Sequence, residues 1–134
     1  MTKREVNQIA YEIVGCAIEV HKQLGTGLLE SVYESCLFHE LTQKGFLVRR
    51  QLSVPINYKG LELSADLRLD LLVNDCVIVE LKAVEIMNPV FEAQLLTYMK
   101  LLEKPKGLLI NFFTANITKT VKPFVNEYFA KLPD

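Results

Sequence analysis

The sequence predicts an α/β (α+β) fold, a mixed central sheet flanked by helices, in the order α-α-β-β-β-α-β-α. Three observations lead there. Two stretches of helical periodicity open the chain, three extended segments separated by turn residues follow, and a further helical stretch precedes a short, wholly apolar strand.

Val6, Ile9, Ala10, Ile13, Ala17, Val20 and Leu24 recur at three- and four-residue spacing, the stripe of an amphipathic helix. "GTG" (25–27) ends it, since glycine readily takes the positive φ of a helix C-terminus. Leu29, Val32, Tyr33, Cys36, Leu37 and Leu41 form a second stripe, ended by Gly45. "FLVRRQLSVPINY" turns to extended character, and "NYKG" (57–60) reads as a hairpin turn. "LELSADLRLDLLV" and "VIVELKAV" are the next strands, joined at Asn74 to Cys76. Asn88 followed by Pro89 starts a helix that runs to just before Pro105. "GLLINFF" (107–113) is an interior strand, and "KPFVNEYFAKL" (122–132) a last helix with Phe124, Tyr128 and Leu132 on one stripe.

The 134 residues fit one domain, 1–134, and half of them are hydrophobic, enough for a filled core. No apolar run approaches the ~18 residues of a membrane span, and the N-terminus lacks the apolar stretch of a signal peptide. Cys16, Cys36 and Cys76 are an odd number, widely spaced among apolar neighbours, which favours reduced thiols and a cytoplasmic protein. With only His21 and His39 and no CxxC, a structural zinc site has little support. The net charge is −1 and the pI about 6.1, so any hold on nucleic acid must come from a local basic surface, a bound cation or a partner.

The apolar strand "CVIVELKAV" (76–84) carries Glu80 and Lys82. Residues two apart share a strand face, so Glu80 and Lys82 point one way with Ile78. On the preceding strand Asp66, Arg68, Asp70 and Leu72 would share one face, and Leu67, Leu69, Leu71 and Val73 the other. A three-residue loop (74–76) pairs Val73 with Val77 and sets Asp70 opposite Glu80, with Cβ atoms about 4.5–5.5 Å apart. A two-residue loop would separate the carboxylates between faces. In the first register the like charges repel unless a divalent cation lies between them. In a plain surface reading, Glu80 and Lys82 serve a cross-strand salt bridge, with Arg68 as partner to Glu80.

Asp70, nine intervening residues, then Glu80-Leu81-Lys82 resembles the D…ExK core of the PD-(D/E)XK nuclease superfamily. The helix–three-strand–helix–strand order is similar to that superfamily's restriction-endonuclease-like αβββαβ core. "GLLESVY" (27–33) matches the Gly-x-x-Glu-x-x-Tyr signature of a bacterial family within it. "VHKQLGTGLLESVYE", "DLLV", "VIVELKAVE", "EAQLLTY" and "GLLINF" resemble that family's blocks in order. The resemblance implies Mg²⁺ or Mn²⁺ held by Asp70 and Glu80, a catalytic Lys82, and a Gln-x-x-x-Tyr helix motif in Gln94 and Tyr98. It also implies an additional acid at Glu30. Leu69 stands where the superfamily's name has proline.

Glu30 also suits the positive first turn of a helix, and Tyr98 a core stripe with Phe91, Leu95 and Leu102. The implied function is a metal-dependent nuclease acting on nucleic acid, DNA above all, with room for a homodimer or a protein partner. The competing expectation is a catalytically silent nuclease-fold module for nucleic-acid or protein interaction.

Overall fold

Val6, Ala10, Ile13, Ala17 and Val20 are all buried on one side of α1 (Lys3–Leu24). Thr2 caps this helix by accepting the Glu5 amide at 3.0 Å, and Gly25, at φ 73°, closes it. α2 (Glu30–Gln43) packs against α1 through Tyr33, Leu37 and Leu41. Leu29 and Val32, expected in its apolar stripe, are exposed, while Glu34 is buried. The helix is turned so that a carboxylate, not an isopropyl group, faces inward, because Glu34 finds partners on the first strand.

The computed structural model describes residues 1–63 and 66–134. Its remaining elements are β1 (Val48–Ser53), β2 (Ile56–Tyr58), β3 (Leu61–Leu63), β4 (Arg68–Val73), β5 (Val77–Lys82), α3 (Val90–Leu101), β6 (Lys106–Asn111), β7 (Lys122–Val125) and α4 (Glu127–Ala130). One sheet runs in the order β1-β4-β5-β6-β7. β5 and β6 are parallel and joined through α3; the other neighbours are antiparallel. β2 and β3 form the expected hairpin, with Lys59 and Gly60 both at positive φ (50° and 88°). Asn88 starts α3 by accepting the Val90 amide at 3.0 Å.

The extended stretch 46–58 is not one strand: it breaks at Val54 and Pro55. The strand expected over 61–73 divides into β3 and β4, with Ser64 and Ala65 outside the described residues. The C-terminal helix shrinks to the single turn of α4. Phe124 instead pairs with Gly107 in the sheet, and Asn126 starts α4 by accepting the Tyr128 and Phe129 amides. Pro123 lacks an N–H and tolerates only an edge strand, which β7 is.

Helices cover both faces of the sheet. α1 and α2 pack on Leu71, Val73, Val77, Val79, Leu81, Leu108 and Ile110. α3 packs on Leu69, Leu72, Ile78 and Leu109 through Leu95, Tyr98 and Met99. β5 is therefore buried from Val77 to Leu81, and the expected charge-bearing outer face of the two central strands is a second core. No helix among the described residues is long and apolar enough to cross a membrane.

Gly107 lets α3 approach the sheet: a Cβ there would stand 2.7 Å from Met99 Sδ and 2.9 Å from Leu95 Cδ1. Gly107→Ala should cost ~1–3 kcal/mol, the usual cost of overpacking, and lower the melting temperature by several degrees. Denaturant unfolding checks it; an unchanged midpoint would show that α3 is not held this closely.

Candidate active site

The connection Asn74–Cys76 fixes the register. Asn74 and Asp75 take positive φ (49° and 58°), and the pairs are Val73↔Val77, Leu72↔Ile78 and Leu71↔Val79. The next step along both strands brings Asp70 to Glu80. Regular pairing stops there, and Asp70 Oδ2 instead accepts the Leu81 amide at 2.8 Å. A side-chain carboxylate has replaced a backbone carbonyl, which anchors Asp70 to the strand that carries Glu80.

Glu80 is 5% exposed, and its Oε1 has no hydrogen-bond partner among the described residues. Burial, then the charge of Asp70, push the Glu80 acid up to about 9 against the partial relief of Lys82. The surface salt-bridge reading fails here: Arg68 pairs with exposed Asp66 at 3.2 Å. Lys82, the last residue of β5, is half-buried with its Nζ 4.4 Å from the centre of the Phe91 ring on α3. The chain beyond Lys82 is pinned by buried Asn111, which accepts the Val84 and Phe113 amides and donates to the Val84 carbonyl.

Glu30 opens α2. Tyr33 aims it: the phenol donates to the Gly25 carbonyl at 2.8 Å, accepts the Leu28 amide at 3.2 Å, and stacks on Phe112 at 4.5 Å. Thr26 donates to the Phe112 carbonyl at 3.1 Å, tying the same loop to the sheet. Burial raises the Glu30 acid, with Lys82 lowering it and Asp70 and Glu34 raising it further, so Glu30 lies in the field of the Asp70–Lys82 cluster. Tyr98 is buried under the same carboxylates: burial, then Glu80 and Asp70, raise its phenol. Gln94 is exposed on α3, a turn from both Phe91 and Tyr98. The fold thus gathers Glu30, Asp70, Glu80, Lys82 and Tyr98, while Gln94 stands exposed on α3 without a side-chain hydrogen bond to any of them among the described residues.

Four polar residues escape sequence reading. Glu34 accepts from Arg50 at 3.1 Å and from Gln51 at 2.6 Å; Arg50 also lies 4.9 Å from the centre of the Phe38 ring. Gln51 reaches Asp70 Oδ1 at 3.4 Å. Asn111 is the fourth. Alternation also fails locally. Leu69 and Leu71 are two apart yet pack in opposite cores, so Leu67 and Leu69 belong with Leu72 and not with Leu71 and Val73. The break falls at the Gln51–Asp70 position, where Gln51 adopts φ 49° and drops out of the β1–β4 pairing.

A divalent cation fits this donor set. Mg²⁺ keeps several waters and needs one or two carboxylates plus substrate phosphate, and Asp70 with the unpartnered Glu80 Oε1 supplies two. Among the described residues no His, Cys, Asp and Glu side chains form a three-membered metal cluster.

The mixed five-stranded sheet between helices places the protein in the restriction-endonuclease-like class. The family model of the PD-(D/E)XK nuclease superfamily matches residues 7–124, and the chain belongs to that superfamily. Searches of curated proteins and of solved structures find no match.

Glu80 binds its proton more tightly folded than unfolded. Its contribution to stability is therefore complete below the unfolded value of 4.5 and lost as pH rises towards about 9. In metal-free buffer the melting temperature should fall across that window. Glu80→Gln should flatten the fall and raise the melting temperature at pH 8 by at least ~3 °C, the effect of roughly 1 kcal/mol in a domain of this size. Parallel melting profiles for the two proteins would show that Glu80 ionises without penalty.

Proposed function

We propose that the protein is a Mg²⁺- or Mn²⁺-dependent nuclease that hydrolyses phosphodiesters in DNA. We place it in the GxxExxY branch, with residues 1–134 as one catalytic domain. Membership of a nuclease superfamily supports the reaction class. The observation that carries the metal reading is the Glu80 oxygen, buried without a partner beside Asp70. An ionised carboxylate buried there would cost several kcal/mol; without metal Glu80 avoids that cost by keeping its proton, and a cation would take the proton's place. Free Cys16, Cys36 and Cys76 suit a reducing, cytoplasmic setting.

When bound, the cation polarises a phosphoryl oxygen and lowers the pKa of a water. The chain's own residues do the rest. Asp70 and Glu80 would hold the ion. Lys82 faces the same space and stabilises the negative charge that develops on phosphorus-bound oxygens, or orients the attacking water. Phe91 keeps its ammonium from straying. Glu30 adds negative charge on the α2 side, in the field of Asp70 and Lys82, where it would orient the attacking water. Gln94, exposed on α3, has the amide to orient substrate, and Tyr98 closes the floor beneath the carboxylates. The protein's net charge of −1 means that affinity for a polyanion leans on the cation and on such local charges. A silent binding module gives no reason to hold a buried acid directly against Asp70 and is the less favoured reading.

Calorimetric titration with Mn²⁺ and single-turnover cleavage of DNA, on the same preparations, test this. Asp70→Asn and Glu80→Gln should lose metal binding and cleavage together while keeping the fold. Lys82→Ala and Lys82→Arg should retain metal binding and lose roughly 100-fold or more in turnover, because a misplaced charge of the right sign does not serve. Undiminished turnover in Lys82→Ala would remove Lys82 from the mechanism. Cleavage surviving both carboxylate changes would place the chemistry elsewhere.

A further inference from the structure

Gln51 occupies a costly position. It is a non-glycine residue at φ 49° in the middle of a strand, where β1 could have continued its regular pairing with β4. The pairs on either side, Arg50↔Leu71 and Leu52↔Leu69, keep the same register, so nothing is inserted; only the Gln51–Asp70 pair is missing. The left-handed backbone turns the strand over at this point. Arg50 is left on the α2 side against Glu34 and Phe38, while Leu52 packs in the α3 core.

The result is a bridge. Gln51 Nε2 donates to Glu34 Oε1 at 2.6 Å and reaches Asp70 Oδ1 at 3.4 Å. An amide placed between two carboxylates must present its NH₂ to both, which fixes its orientation. Glu34 is held from the other side by the Arg50 guanidinium, which also donates to Ser35 at 3.0 Å. The Leu81 amide secures Asp70 Oδ2 at 2.8 Å. Each Asp70 oxygen therefore faces one donor. Together they set the rotation of the carboxylate plane and leave the remaining lone pairs for a cation.

We propose that Gln51, clamped by the buried Glu34 carboxylate that Arg50 pairs from the surface, is the positioning residue that fixes the Asp70 carboxylate for metal binding. The inference rests on the proposed cation site. It extends that site onto β1 and α2, to residues that touch neither metal nor substrate. Partners of this kind, one shell removed from a metal, typically change affinity by about 10–100-fold when lost.

Mn²⁺ is the probe, titrated by calorimetry and by the electron paramagnetic resonance of the bound ion, with melting temperatures recorded alongside. Gln51→Leu keeps the side chain's length and removes both donors. Gln51→Gly removes the side chain but relieves the left-handed backbone, so it should fold even if the leucine variant does not. Both should weaken Mn²⁺ at least about 10-fold and alter the resonance of whatever ion remains bound, the glycine variant without loss of melting temperature. A residue serving only the fold would shift the melting temperature and leave Mn²⁺ affinity alone. If either folded variant binds Mn²⁺ within twofold of wild type while Asp70→Asn does not bind, the positioning role is overturned and the metal reading stands. If wild type itself binds no Mn²⁺, the metal reading falls and this inference with it.

Discussion

Two carboxylates facing each other across adjacent strands, with water largely excluded, repel one another and lose their hydration at the same time. A sheet can hold such a pair only by giving each group something else to interact with. Asp70 has the Leu81 amide on one oxygen and Gln51 on the other, while Glu80 is left with an oxygen that no described residue reaches. The asymmetry explains the surroundings: the anchored member holds the geometry, and the unanchored one waits for a proton or a cation. Much of the architecture around the two central strands serves this arrangement. The three-residue turn brings Asp70 to Glu80, α3 seals the sheet beneath them, and the GTG loop locked by Tyr33 delivers Glu30 from the opposite layer.

The site also explains why a strand so apolar carries a charge pair. Val77, Ile78, Val79 and Leu81 are buried between two helical layers, so the strand is a true interior element. Glu80 lies inside that interior, whereas Lys82 emerges at its end, where its stem is half-covered and its ammonium rests on an aromatic face. The pair is thus neither a surface ion pair nor a core defect. One group is held dry and the other stands at the mouth, an arrangement that suits the proposed roles of cation ligand and charge stabiliser.

Much of this was legible from sequence. The periodicity of α1 and the Asn-Pro start of α3 are local signals that tertiary packing did not override. The choice between two- and three-residue loops decided whether Asp70 met Glu80, and the sequence left both open. What stayed illegible had one physical origin. Alternation assumes a regular strand, and that assumption fails for β1 and β4 alike at the left-handed Gln51, with Leu69 in the opposite core from Leu71. Glu34 was invisible for a related reason: a glutamate one position past an apolar stripe reads as solvent-facing until Arg50 and Gln51 are known to meet it. At the C-terminus, helical spacing of Phe124, Tyr128 and Leu132 lost to the pairing of β7 with β6, whose exposed edge offered more hydrogen bonds than an isolated helical turn.

If Asp70 and Glu80 form one cation site, the anomalous difference map of crystals grown or soaked with Mn²⁺ should show it. A peak should stand within ~2.2 Å of one oxygen from each of Asp70 and Glu80, the usual range for a hard divalent ion on carboxylates, with Lys82 outside the coordination shell. A map with no peak there at saturating Mn²⁺, or with the ion bound by other residues, would contradict it.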